Sequence, residues 1–122
     1  MNKEITEKII ASAIAVHKHL GPGLLESAYE SCLSIEFDAI GIKYERQKQI
    51  PIVYRNKQLE FAFRVDFLVE GMVVIELKSC EEFSQLHIAQ VLTYLRLLQL
   101  QTGLLLNFNV PLLKNGIKRI SL

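Results

Sequence analysis

The strongest constraint in this chain is a run of strict alternation followed at once by a second, shorter one. Leu59, Phe61, Phe63, Val65, Phe67 and Val69 share one parity, and side chains two apart along a strand point to one side of a sheet. Val73, Ile75 and Leu77 repeat the pattern after Glu70-Gly71, a turn-forming pair. Two such runs joined by a turn fold as a hairpin. Matching the apolar rows sets its register, because a one-residue slip would turn one row to the wrong face. With Gly71 in the left-handed position of a three-residue loop of Val69, Glu70 and Gly71, Leu68 is expected to face Met72 and Val65 to face Ile75. Asp66 then faces Val74 and lies diagonal to Glu76, roughly 7 to 8 Å away at the backbone.

The polar residues left for the other face are Arg64 and Asp66 of the first strand and Glu76 and Lys78 of the second. Two carboxylates at that separation can converge on one divalent cation, the kind of ion that assists phosphodiester hydrolysis. A fixed lysine beside it can orient water or offset transition-state charge. The same residues could equally form a solvated sheet face with a surface ion pair of little energetic weight. Spacing alone leaves both readings open.

The rest of the chain supplies the frame. Helices are expected from Lys3 to His19 and from Leu24 to Ile40, joined by Gly21-Pro22-Gly23 and closed by Gly41. Short strands are expected at Ile42 to Glu45 and Ile50 to Tyr54, then the hairpin strands Leu59 to Val69 and Met72 to Ser79. A helix from Ser84 to Leu100 leads to an apolar strand, Leu104 to Phe108, and a final strand, Ile117 to Leu122. The order reduces to αβββαβ, an α/β sandwich with a central mixed sheet flanked by helices, an extra N-terminal helix and a short C-terminal strand. The last helix crosses over to set one strand parallel to an earlier one.

In the second helix Leu25, Ala28, Cys32, Ile35 and Ala39 form one apolar stripe, and Tyr29, Leu33, Phe37 and Ile40 a second. Glu26 heads the second stripe. It either complements the free amides of the helix start or turns a carboxylate toward the hairpin face. Gln90 and Tyr94, four apart, share one face of the third helix, either as hydrogen-bonded structural residues or as part of the same site. His87 extends that face and is read as a structural hydrogen-bonding residue. His17 and His19 close the first helix and carry no catalytic role.

Composition bounds these readings. With 122 residues, half of them hydrophobic, residues 1–122 form a single domain. The formal net charge of +1 lacks the basic excess of proteins that hold nucleic acid by charge alone, although basic residues cluster at Lys43/Arg46/Lys48, Arg55/Lys57 and Lys114/Lys118/Arg119. Cys32 and Cys80 have no metal-ligand spacing and no secreted-type framework. Charges at Lys3, Glu4, Glu7 and Lys8 interrupt the first helix, so no signal peptide or membrane span is expected there, and a cytoplasmic location is.

Asp66, Glu76-Leu77-Lys78 on a β-hairpin resembles the PD-(D/E)XK nuclease superfamily. Gly23, Glu26 and Tyr29 resemble the signature of the small bacterial GxxExxY proteins, a branch of it. Arg64-Val65-Asp66, Gln90 with Tyr94, and the run from Asn107-Phe108 to Arg119 are also similar to that branch, so that the resemblance covers nearly the whole chain. One departure is Val65 in place of the proline that names the superfamily, a residue that has no ladder donor to give a central strand. The resemblance implies a restriction-endonuclease-like fold and a metal-dependent nuclease using Mg²⁺ or Mn²⁺ on nucleic acid, DNA foremost. Asp66, Glu76, the carbonyl of Leu77 and Glu26, directly or through water, would hold metal. Lys78 would act on the water or transition state, and Gln90 and Tyr94 would position substrate or Lys78. The alternative is a non-catalytic module of the same fold that binds a nucleic acid or protein partner. The apolar content also permits a homodimer whose second copy completes the substrate surface.

Overall fold

The computed structural model describes residues 2–122, with the side chains of residues 60–62 outside the description. In chain order the elements are α1 (Lys3–Leu20), α2 (Glu26–Ile40), β1 (Tyr44–Tyr54), β2 (Lys57–Val69), β3 (Val73–Lys78), α3 (Gln85–Leu98), β4 (Thr102–Asn107), a 3₁₀ turn (Leu113–Gly116) and β5 (Ile117–Ser121). The strands form one five-stranded sheet in the order β1-β2-β3-β4-β5. Neighbours are antiparallel except β3 and β4, which run parallel from Val73↔Thr102 to Lys78↔Asn107. Without α1 and β5 this is the αβββαβ core with a mixed sheet that the element order predicts.

The two parallel strands are covered on both faces, which is why Val73 to Leu77 and Leu104 to Leu106 are near-continuous apolar runs. Against one face, α1 and α2 lay Ile9, Ala13, Tyr29, Leu33 and Phe37 on Phe67, Val69, Ile75, Leu77 and Leu104. Against the other, α3 lays Val91 and Leu95 on Val65, Leu68, Val74 and Leu105. The approach of α3 depends on Gly103, where an added Cβ would stand 2.7 Å from Val91 Cγ1. On the opposite side α1 is tied to the sheet by Arg119 Nη2 donating to Thr6 Oγ1 at 2.6 Å, and by His17 Nε2 at 3.1 Å from the Phe108 carbonyl oxygen.

Four expectations change. Residues 42–45 and 50–54 are not two strands: one strand, β1, runs through the polar segment between them. Within that segment Gln47 has a φ of 51°, yet the register is the same on either side of it, Arg46↔Phe67 and Lys48↔Val65, and shifts only later, between Pro51 and Val53. Across from Gln47, at Asp66, the apolar row of β2 changes face. Phe63 and Val65 pack on the α3 side, whereas Phe67 and Val69 pack on the α1–α2 side. Phe61, expected in the same row, lies outside the described side chains. The turn also differs, with positive φ at both Glu70 and Gly71 (52° and 65°) and the Met72 N–H donating to the Val69 carbonyl at 2.9 Å. Val69 then pairs with Val73 and Phe67 with Ile75, two residues from the expected register and with parity kept. On α2, finally, Leu25 and Ile35 of the first stripe are 79% and 64% exposed, and Tyr29, Leu33 and Phe37 of the second form the buried face.

Candidate active site

β2 and β3 part at Asp66. Phe67↔Ile75 is the last ladder pair, and side chains take the next two strand amides. The Asp66 N–H donates to Glu76 Oε2 at 2.7 Å, and the Leu77 N–H donates to Asp66 Oδ2 at 2.8 Å. Buried amides need partners, so each acid satisfies a backbone donor at the fork while standing beside the other acid. The new register therefore sets Asp66 across from Glu76 rather than diagonal to it.

Burial makes this pair electrostatically costly. Glu76 is only 8% exposed. Its carboxyl is pushed up to about 8, first by loss of water and then by the charge of Asp66, against the pull of the Asp66 amide and the Lys78 ammonium. The Asp66 carboxyl is raised too, by burial first and then by the charges of Glu30 and Glu26, while the Leu77 amide and the Gln47 side chain oppose the shift. Lys78 ends β3, half-buried. The segment after it is pinned by the buried Asn107, whose Oδ1 accepts the Cys80 and Asn109 amides, both at 3.1 Å, and whose Nδ2 donates to the Cys80 carbonyl at 2.8 Å.

Glu26 opens α2 as an exposed side chain, and its charge raises both site carboxyls. Among the described residues it makes no hydrogen bond to either. Its backbone is well fixed. The Tyr29 hydroxyl donates to the Gly21 carbonyl at 2.6 Å and accepts the Leu24 N–H at 3.1 Å, and its ring stacks on Phe108 with centroids 4.3 Å apart. Ser79 Oγ donates to the Leu24 carbonyl at 2.8 Å, joining this turn to the end of β3. A cleft lined by Gly23, Leu24, Leu25, Glu26, Ser79 and Asn109 opens between them.

Two residues without an assigned role in the sequence belong to this constellation. Glu30, one turn after Glu26 and buried, accepts from Arg46 Nε at 2.6 Å and from Gln47 Nε2 at 2.5 Å. The same Gln47 amide donates to Asp66 Oδ1 at 3.2 Å, so one NH₂ group bridges two carboxylates. The i, i+4 spacing of Glu26 and Glu30 is a visible signal. Gln47 has none, because its left-handed backbone, with a φ of 51°, leaves no mark in the hydrophobic pattern.

On α3, Tyr94 is half-buried and stacks on Phe63 with centroids 4.3 Å apart. Burial, then the charges of Glu76 and Asp66, push its hydroxyl up, which places it within the field of the pair. Gln90 is exposed one turn earlier and enters no hydrogen bond among the described residues. His87 caps its own helix: its N–H donates to Ser84 Oγ at 3.1 Å and its Nδ1 accepts the Ser84 N–H at 3.2 Å.

Among the described residues, no three His, Cys, Asp or Glu side chains gather into a ready-made metal cage. Asp66 and Glu76 are nevertheless hard oxygen donors with raised carboxyls. An ion such as Mg²⁺, which keeps several of its waters, needs only one or two carboxylates from the protein. The residues present fit such an ion.

A mixed-sheet αβββαβ domain, forked at paired acids with a lysine two residues after the second, has the architecture of a nuclease-type phosphodiesterase domain. A family model described as the PD-(D/E)XK nuclease superfamily matches residues 3–120, and the chain belongs to that superfamily. No curated protein and no solved structure matches it. Among the described residues no helix is long and apolar enough to cross a membrane.

Proposed function

We propose that the chain is a metal-dependent nuclease that hydrolyses phosphodiester bonds of nucleic acid, DNA foremost. The observation that carries this reading is the Asp66–Glu76 pair at the fork, Glu76 buried and Asp66 half-buried, both carboxyls raised and the Lys78 ammonium acting on Glu76. Asp66, Glu76 and the carbonyl of Leu77 would hold Mg²⁺ or Mn²⁺, with Glu26 reaching it directly or through water. When bound, the ion supplies charge stabilisation at the phosphate and a more acidic water. Lys78, anchored at the end of β3, orients that water or offsets the charge that develops. Tyr94 keeps its proton and can donate to a phosphate oxygen, and Gln90 contacts substrate from the same helix face.

Assignment to the GxxExxY branch rests on Gly23, Glu26 and Tyr29, and the Tyr29 clamp on the Gly21–Leu24 turn gives that spacing a physical reason: it fixes where Glu26 leaves the backbone. The formal net charge of +1 favours a second reading, a module that binds a nucleic acid or protein partner without cutting. A second copy completing the substrate surface is compatible with either.

Digestion of mixed DNA and RNA by the purified protein, with Mg²⁺ or Mn²⁺, tests the reading. Cleavage is expected from the wild type and from neither Glu76→Ala nor Lys78→Ala. Mn²⁺ should raise the thermal midpoint of the wild type and of Lys78→Ala, and that of Glu76→Ala less. Wild-type protein that takes up Mn²⁺ and nucleic acid yet cuts no substrate leaves the binding module as the better account.

A further inference from the structure

The β1–β2 hairpin runs well past the sheet. β2 pairs with β3 only from Phe67 to Val69. Farther out, Ile50 is buried and its partner Phe63 stacks on Tyr94. Beyond these, from Pro51 to Gln58, every residue except the half-buried Ile52 is exposed, although the strands stay paired as far as Tyr54↔Lys57. The result is a two-stranded arm rooted at Asp66, its tip about 30 Å away at roughly 3.3 Å per residue.

The chemistry of the arm differs from that of the body. Between Arg46 and Arg64 stand five basic residues, Arg46, Lys48, Arg55, Lys57 and Arg64, against the single acid Glu60, in a chain of formal net charge +1. The remainder of the molecule is therefore net acidic. Arg46 and Lys48 are tied to Glu30 and Glu45. Arg55 and Asn56 form the tip with φ of 50° and 65°, a conformation that asparagine tolerates and arginine does not favour. The Arg55 guanidinium lies 6.0 Å from the centre of the Tyr54 ring, itself 66% exposed. Arg55 thus holds its charge, against its backbone preference, at the outermost point of an exposed arm.

We propose that this arm docks duplex DNA, lying in the major groove of the B form with Arg55, Lys57 and Arg64 against phosphates. The root at Asp66 then meets the flanking backbone, which is the part of the proposal that rests on the nuclease reading. Two strands about 4.8 Å apart, with their side chains, fit a groove about 12 Å wide, one known to admit a two-stranded ribbon. The deep, narrow major groove of A-form RNA excludes it. The net-acidic body repels the duplex, so the basic arm also sets the direction of approach.

Fluorescence anisotropy of the full chain, in EDTA to prevent cutting, with one sequence as a DNA duplex, an RNA duplex and single-stranded DNA, tests the proposal. The variant is Arg55→Asn with Lys57→Gln, in which asparagine keeps the turn. The wild type should prefer the DNA duplex by about tenfold. The double variant should lose about tenfold in affinity, and its slope of log affinity on log salt should fall by about two, at roughly 0.9 per phosphate contact. Its thermal midpoint should not move; if it does, Arg64→Gln, farther from the turn, provides the same comparison. Equal affinity of variant and wild type, preference for RNA or single strands, or no binding by the wild type overturns the proposal. Protein that binds through the arm and never cuts with metal upholds docking and removes the nuclease reading. Cleavage of duplex by the double variant at the wild-type affinity does the reverse.

Discussion

Glu76 sits in the middle of a strand whose residues from Val73 to Leu77 are all buried, and its protonation is therefore written into the stability of the fold. Its carboxyl titrates near 8 in the folded protein against an ordinary 4.5, so between those values the folded chain holds a proton that the unfolded chain releases. Stability should be unaffected by this group below pH 4.5, fall as the pH rises through the interval, and level off above about 8. Glu76→Gln, neutral and of nearly the same shape, should flatten that decline and make the metal-free protein more stable at pH 8.5, by up to a few kcal/mol. Urea midpoints of the two proteins at pH 5 and pH 8.5 check this, and parallel pH profiles would refute it. The juxtaposition of Asp66 and Glu76 was legible in the sequence because two apolar rows had to match across a hairpin. The parts played by Glu30 and Gln47 were not, since they depend on a left-handed residue in a polar stretch, and no periodicity announces one.

Elements were readable where burial imposes a period, and misread where it does not. The helices emerged within a few residues of their ends because one face of each is apolar and glycine or a polar cap closes it. β1 reads as two strands because Arg46 to Gln49 offers no apolar residue, and its pairing with β2 comes from the ladder alone. The face change in β2 was equally hidden, for an unbroken odd-numbered row gives no sign that the strand turns over at Asp66. The seating of α3 leads to an element-scale prediction. Gly103→Ala would press a methyl group into Val91, and because Val91 and Tyr94 lie on the same helix, relief requires α3 to move relative to Phe63. A loss of about 1–3 kcal/mol is expected in chemical denaturation, together with a changed near-ultraviolet signal from Tyr94. An unchanged midpoint would show that Val91 adjusts alone.

At the scale of the whole molecule the sheet separates two cores, and α1, an addition to the αβββαβ plan, supplies Ile9 and Ala13 to the larger. Leu25 just before α2, and Ile35 and Ile40 within it, remain exposed at 79%, 64% and 51%, apolar surface that a second copy would cover. Sedimentation velocity over a wide range of protein concentration should then show a concentration-dependent dimer, weakened by Ile35→Glu, and a monomer throughout would end the homodimer proposal. The face change gives β2 a place in both cores, with Phe63 and Val65 in one and Phe67 and Val69 in the other, so Asp66 lies on the seam between them. At that seam the amides of Asp66 and Leu77 are answered by carboxylate oxygens instead of strand carbonyls. These two peptide groups are thereby wired to the charge of the site as built-in indicators. Their amide resonances will move whenever a proton leaves Glu76 or an ion arrives, reporting the state of the pair from the main chain with no added probe.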